Sequence, residues 1–408
     1  MAPNPNDCLV IVQVSSRKVA ATVAWRDADG ERVVAHRGVE CDWYHLEERG
    51  RRQAVAEALS MACHSAGVEV HSVFVAVADP TLRGNFATGY ADFHGETLNL
   101  TQTERAMALA RATHQPLGTE REVLHALPQR WAVKDEVGEK EVDDPTGLRA
   151  SRLTCHVLLI SAGKETREEM QRLLGECDVY LEGMIAQPVA LYRGLQSHLP
   201  KRGSTLIIDC GARFTSLLVH RKNRLVHVET HDFGGDHLTE AIARELGIDI
   251  LMAERLKREL DISVHTGSQE IEGQTFLWRE VQERHRLLAP AARVCAERLR
   301  DFFTARAKAL RELELLAQHG KIHLTGRGAA LGGLPALLKD VFSMPVVFGT
   351  SKSDREPSSE LADLMTVGLV RQAAQERERR LAERQGSGVR HVATAASGFW
   401  GWLTAPIE

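Results

Sequence analysis

The apolar positions of the chain recur with two periods. "VIVQVSSRKVAATVAW" (Val10–Trp25) places two β-rich runs, Leu9–Val14 and Val19–Trp25, around a short basic turn, which predicts a β-hairpin. Gln53–Gly67 repeats apolar residues at helical spacing and closes on glycine, predicting an amphipathic helix, and Val70–Ala78 predicts a buried strand. From Asp79 to Ala150 short strands and polar turns surround a helix at Leu100–His114, whose Thr101 and Glu104 have capping-box spacing, so a small α/β subdomain is inserted here. A strand at Arg152–Ser161, a helix at Lys164–Cys177 and a strand running through Pro188 into a helix restore a βαβ rhythm. That rhythm predicts a largely parallel sheet with helices on its faces.

After the polar break His198–Ser204 the plan repeats. "TLIIDCGARFTSLLVHRKNRLVHVE" is again strand, small-residue turn, strand, turn and strand, with its first turn at the offset of the first hairpin. Two superposable lobes are expected: 1–78 with 151–197 as the first, 198–370 as the second, and 79–150 inserted in the first. From Arg371 the chain changes to a charged helix and a small-residue linker through 398, then an aromatic segment, 399–408.

Composition narrows the classes. A chain of 408 residues is too long for one ordinary core, and a formal net charge of -4 gives no basic field for general nucleic-acid binding. The seven cysteines are scattered without a CxxC pair, which argues against a zinc ribbon or a disulfide framework and for a reducing compartment. The sequence shows neither a signal-peptide pattern nor eighteen uninterrupted apolar residues, so no spanning helix is expected.

The candidate chemistry lies in glycine-bearing turns. In "IIDCGARFT" Asp209 ends a buried strand, Gly211 sits in the turn and Thr215 opens the next strand; such a turn offers backbone N–H groups to phosphate, and a carboxylate can orient the water shell of Mg²⁺. An ordinary hairpin explains the same residues. Gly234 and Gly235 precede a helix with Asp236 as the expected N-cap, where backbone can approach an anion or simply join loop to helix. Glu254 and Lys257 share a helical face and bond either a ribose or each other. Gly326 and Gly328 lie in a turn after a strand, where a flat base can rest on backbone.

The series IIDCG, GGDHLTEAIA, AERLK and IHLTGRGAALGGL resembles the actin-like ATPase superfamily and, within it, the bacterial FtsA family. "EVLHALPQRWAVKDEVGEKEVDDPTGLRASRLTCHVLLIS" is similar to that family's inserted subdomain, and "ELADLMTVGLV" to its final core helix, so the resemblance spans about Leu9 to Val370. It implies a duplicated two-lobe α/β fold of the actin-like (ribonuclease H-like) class around an ATP cleft. It also implies self-assembly into filaments, binding of the FtsZ C-terminal tail through the second lobe around Asp249–Gly320, contacts with other division proteins, and attachment to the inner face of the cell membrane at the division site.

Carried over by resemblance, Ser15, Ser16 and Lys18 belong to the first phosphate loop, Asp209, Gly211 and Thr215 to the second, and Gly234, Gly235 and Asp236 face the nucleotide. Glu254 and Lys257 fall by the ribose, Gly326 and Gly328 flank the adenine, Asp209 holds Mg²⁺ through water, and Gln187 stands where a catalytic residue orients the attacking water. The first loop departs from the family: Gln13 replaces an aspartate and Ser15 a glycine. Arg213 and Arg327 are also departures, able either to meet the nucleotide or to fill its place. ATP and Mg²⁺ are thus the implied cofactors, with weak or absent hydrolysis, since losing a charge-stabilising group costs orders of magnitude in rate.

Phe399, Trp400, Trp402, Leu403 and Ile407 crowd the C-terminus, and tryptophan suits the membrane interface. The resemblance implies a membrane-targeting helix here, although the segment has no Lys or Arg and includes Pro406; folding back on the protein or binding a partner groove are the alternatives. For the whole chain the leading expectation is a cytoplasmic division scaffold. A platform resembling PilM for pili or secretion, and an active ATPase or phosphotransferase of the same fold, are the competing readings.

Overall fold

A computed structural model describes residues 8–27, 30–113, 120–263, 279–316, 319–348 and 364–377. The chain divides into two compact units: Met1–Leu199 with Asn223–Thr230 and Ala362–Glu408, and Pro200–Lys222 with His231–Leu361.

The first unit holds a five-stranded sheet ordered β3-β2-β1-β4-β9. Its strands are β1 (Cys8–Ser15), β2 (Lys18–Asp27), β3 (Gly30–Glu40), β4 (Ser72–Val77) and β9 (Tyr180–Ala186). The near-continuous apolar runs of β1 and β4 are what strands covered on both faces require. Helix α1 (Glu48–Ala66) buries Ala54, Val55, Ala58, Leu59 and Ala62 at helical spacing, and Gly67, left-handed at φ 66°, closes it.

The inserted subdomain is an antiparallel sheet. Strands β5 (Arg83–Thr97), β6 (Arg121–Lys134), β7 (Glu139–Val142) and β8 (Arg149–Gly163) run in the order β5-β8-β6-β7, with helix α2 (Leu100–Thr113) against β5. Asn99 precedes α2, and its N–H donates to Gln102 Oε1 at 3.1 Å; the side chains of the expected Thr101–Glu104 pair lie outside what the structure describes. The strand expected at Arg152–Ser161 in the parallel lobe is β8, which pairs antiparallel with β5 and β6 over most of its length. The insertion therefore extends past Ala150, because fifteen residues of β8 complete its sheet rather than a βαβ crossover.

Helix α3 (Lys164–Gly175) and helix α4 (Gln187–Leu195) flank β9. The last described helix, α9 (residues 364–377), packs Leu369, Val370, Ala373 and Ala374 with Leu9, Ile11, Phe74 and Ile185. The chain was expected to leave the second lobe's core at Val370. Instead this helix continues the first unit's core, since residues 369, 370, 373 and 374 form one apolar stripe.

The second unit repeats the first sheet's plan with β10 (Ser204–Cys210), β11 (Thr215–Arg221), β13 (Lys321–Thr325) and β14 (Val346–Phe348). β1 pairs antiparallel with β2 and parallel with β4, which is parallel to β9. Likewise β10 pairs antiparallel with β11 and parallel with β13, which is parallel to β14. Strand β12 (Arg224–His231), expected in the second lobe, meets the insertion, with Glu229 opposite Arg83.

Helices α5 (Gly235–Leu246), α6 (Ile250–Glu259), α7 (Arg279–Glu312) and α8 (Leu334–Phe342) complete the second unit. α7 buries Ala291, Cys295, Leu299, Phe303, Ala307 and Leu310, a single stripe at helical spacing. Among the described residues no helix is long and apolar enough to cross a membrane. Phe399, Trp400, Trp402, Leu403, Ile407 and the linker before them lie outside the described residues.

Candidate functional site

Gln13 and Asp209 lie on corresponding strands of the two sheets, each between an antiparallel and a parallel neighbour near a hairpin turn. Gln13 lies opposite Ala20 on β2 and Ala76 on β4, two positions before the closing Ser15–Lys18 pair. Asp209 lies opposite Ser216 on β11 and Thr325 on β13, one position before the closing Cys210–Thr215 pair. The duplication read from the hairpins thus extends to strand order and pairing, with uncharged Gln13 one step further from its turn than Asp209 is from its own.

In the first unit the turn is closed by its own groups. Ser15 Oγ donates to the Lys18 carbonyl at 2.7 Å, and the carbonyls of Ser16 and Arg17 accept the N–H groups of Trp43 and Cys41 at 3.0 and 3.1 Å. Ser16 is buried. Arg17 pairs with Asp42, which also meets His45 Nδ1 at 2.9 Å. Lys18, half-buried, has no ion pair among the described residues, and its side chain lies over Gly38 on β3, where a Cβ would stand 2.1 Å from Lys18 Cε and 3.1 Å from Nζ.

Gln187 opens α4 and is buried. Its side-chain amide donates to the Val14 and Ala76 carbonyls at 2.6 and 3.1 Å, joining the ends of β1 and β4 to α4. Both amide hydrogens are used in this way, leaving only Oε1 to face a water.

In the second unit the candidate residues converge at the end of β10. Asp209 is half-buried, no side-chain donor reaches its carboxylate among the described residues, and burial pushes its carboxyl up to about 6. Gly326, at φ 85°, makes room for it: a Cβ there would stand 2.5 Å from Asp209 Oδ1 and 2.3 Å from the Cys210 carbonyl. Gly328 packs against the Cys210 side chain, so both glycines of the expected adenine turn have a packing role at β10.

The start of α5 differs from the expected anion site. Gly235 N–H donates to the Gly211 carbonyl at 3.1 Å and Asp236 N–H to the Ala212 carbonyl at 2.7 Å. Gly234 N–H reaches His237 Nδ1 at 3.2 Å. The donors that a helix N-terminus would turn toward phosphate are therefore engaged by the neighbouring turn and by His237. Gly234, not Asp236, is the N-cap; Asp236 lies inside the first turn, where its charge suits the helix dipole.

Thr215, buried, spends its hydroxyl on the Phe233 carbonyl at 2.7 Å. Arg213 is gripped by Asp232, with Nε 2.8 Å from Oδ1 and Nη2 3.1 Å from Oδ2, and His237 Nε2 stands 3.4 Å from the same Oδ1. Arg213 thus has a protein carboxylate as its partner. Arg327 is exposed.

Glu254 and Lys257 meet each other on α6, Nζ to Oε2 at 2.6 Å. Lys257 also donates to the Gly235 carbonyl at 2.9 Å and Thr239 Oγ1 at 2.8 Å, and Thr239 donates to Glu254 Oε2 at 2.6 Å. Burial raises the Glu254 carboxyl, but hydrogen bonds from Lys257, Thr239 and Arg258 outweigh it and hold the group down at about 2. This cluster ties α6 to the first turn of α5 beside the second hairpin.

Sequence reasoning missed Asp42 and His45, and Asp232 and His237, which form an Arg–Asp–His trio at each hairpin turn. The only signal was the recurrence of an arginine in both turns, because the carboxylates follow the third strands and their distance is set by the fold. Among the described residues no group of three or more His, Cys, Asp or Glu can hold a metal ion. Asp209 fits a hydrated cation through water, as a lone unpartnered carboxylate can; the start of α5, with its donors engaged, does not fit a phosphate group in this arrangement.

Comparison with known proteins follows the same division. A family model described as "Cell division protein FtsA" matches residues 206–367, and one described as "SHS2 domain inserted in FTSA" matches 82–161. The cell division protein FtsA of Pseudomonas aeruginosa is 24% identical over 361 residues, covering 85% of this chain and 83% of its own length. That of Enterococcus hirae is 24% identical over 308 residues, covering 72% of this chain and 66% of its own length. A solved structure, "PilM-PilN type IV pilus biogenesis complex", superposes with a TM-score of 0.56 at 16% identity, over 90% of this chain and 98% of that one. At that identity the likeness is one of fold.

Proposed function

The chain belongs to the FtsA family of cell-division proteins, with an actin-like fold and an SHS2 insertion, and from that premise we propose that it is a division scaffold which self-associates and tethers FtsZ filaments to the cytoplasmic membrane. Its nucleotide site is eroded. The observation that carries this reading is that the fold keeps both hairpins while β1 has the uncharged Gln13 near its turn where the corresponding strand β10 has Asp209.

When bound, ATP–Mg²⁺ would supply a charged ligand that biases assembly. Within the second unit Asp209 would hold the water shell of the ion, and Glu254 with Lys257 would meet the ribose. Hydrolysis is slow or absent, because Gln187 commits its amide hydrogens to Val14 and Ala76 and no carboxylate stands at position 13. A platform resembling PilM has the fold likeness in its favour, whereas the family models cover the insertion and the second half of the chain.

Membrane attachment falls to 399–408, whose aromatic residues suit an interface and whose lack of Lys and Arg makes single-tail binding weak until assembly multiplies it. Co-sedimentation with liposomes, with and without ATP, tests this for the intact chain against one truncated before Ser397. Lipid-dependent pelleting that truncation abolishes is expected; pelleting unaffected by truncation, or none at all, contradicts the anchor.

A further inference from the structure

His125 lies on β6 in the "LHALP" stretch of the inserted subdomain and is 1% exposed. Its Nε2 accepts the backbone N–H of Ala186, the last residue of β9, at 3.0 Å. A ring nitrogen that accepts carries no proton, so neutral His125 keeps its proton on Nδ1. Nδ1 stands 3.4 Å from the side-chain amide nitrogen of Gln372 on α9. The buried Oε1 of that same amide has no hydrogen-bond partner. An amide has nearly the same outline in either orientation, and turning this one gives Nδ1–H an acceptor in Oε1 in place of a contact between two donors.

The residue after Ala186 is Gln187, whose amide holds the carbonyls of Val14 and Ala76. Val14 immediately precedes Ser15, where the first hairpin turn closes. A buried path therefore runs from Gln372 through His125, the Ala186 peptide and Gln187 to the first turn, all within the first unit.

We infer that His125, fixed as the Nδ1–H tautomer, is the positioning residue that pins the β9–α4 corner, and through it the first hairpin turn, to the inserted subdomain and the last helix. Its two nitrogens do different work. Nε2 must accept, because Ala186 offers an N–H in a dry core; the ring proton is then on Nδ1, and Gln372 Oε1 takes it once the amide is turned. A side chain that serves one partner only breaks the path at the other.

The full-length protein labelled with ¹⁵N-histidine tests the tautomer directly, with His125→Gln identifying the resonances. A neutral ring with protonated Nδ1 and bare Nε2 is expected; protonated Nε2 overturns the inference, and this readout depends on the wild type folding, not on a variant. Hydrogen exchange followed by mass spectrometry separates the two sides. His125→Gln keeps an acceptor where Nε2 lies and retains protection at 183–188. His125→Asn keeps a donor near Nδ1 but loses the acceptor, so exchange at 183–188 and 14–18 rises about tenfold, the loss of one buried hydrogen bond. Equal exchange in the two variants, as a mere volume effect would give, overturns the assignment.

Discussion

The carbonyl of Ala212 accepts the N–H of Asp236 at 2.7 Å, and Gly234 lies over the same turn, so the second hairpin and the start of α5 form one backbone assembly. A Cβ on residue 234 would stand 2.5 Å from the Ala212 carbonyl and 2.7 Å from that of Gly211. Backbone on both sides leaves nothing to rotate away. Gly234→Ala is expected to destabilise the protein by about 1–3 kcal/mol, read from the urea midpoint; an unchanged midpoint would show that turn and helix separate easily.

Asp209 gives a pH-dependent prediction. Its carboxyl is raised to about 6 by burial, so in the ionised form it opposes folding, and stability falls as pH rises from about 4 through 6. Below that window the group is neutral in both states and costs nothing. Asp209→Asn should therefore stabilise the protein by about 1–2 kcal/mol at pH 7.5 and leave it unchanged at pH 4. Thermal melting at the two pH values checks this; a loss of stability at pH 7.5 would mean that the carboxylate has an ionic partner.

Glu254 predicts the opposite sign. Its carboxyl is held at about 2, so its contribution is full above the ordinary carboxylate range and is lost as pH falls from about 4.5 through 2. Glu254→Gln should cost about 2 kcal/mol at pH 7, since Lys257 would be left half-buried without its counter-charge. The penalty should shrink steadily in denaturation series carried below pH 4.

Much of this was legible in the chain. The hairpins, α1 and the repeat in the second half follow from periodicity and glycine placement, and the duplication holds in the strand order and pairing of both sheets. Glu254 and Lys257 were legible as a pair because three residues on a helix set their distance. What was not legible depends on residues that only the fold brings together. Asp232 reaches Arg213 across the hairpin, β8 joins β5 rather than the parallel sheet, and α9 returns to pack on Leu9 and Phe74. The alternating pattern of β8 suits either sheet, so local sequence had no means of choosing.

A carboxylate at position 13 tests the proposed erosion of the nucleotide site. Gln13→Asp places a charge near the turn of β1, as Asp209 stands near that of β10, and Mg²⁺-dependent ATP binding should tighten about tenfold, roughly 1.4 kcal/mol. Titration with and without Mg²⁺ reads the change. Equal affinity in the two proteins would remove position 13 from the nucleotide site.

The proposed tether brings FtsZ filaments to a membrane. Fluorescent FtsZ polymers, vesicles of anionic and zwitterionic lipid, and the purified full-length protein test it in one measurement under the microscope. FtsZ should coat the vesicles only when the intact chain is present, and removing residues from Ser397 onward should return it to solution. FtsZ that stays in solution while the intact chain coats the vesicles would contradict the tether.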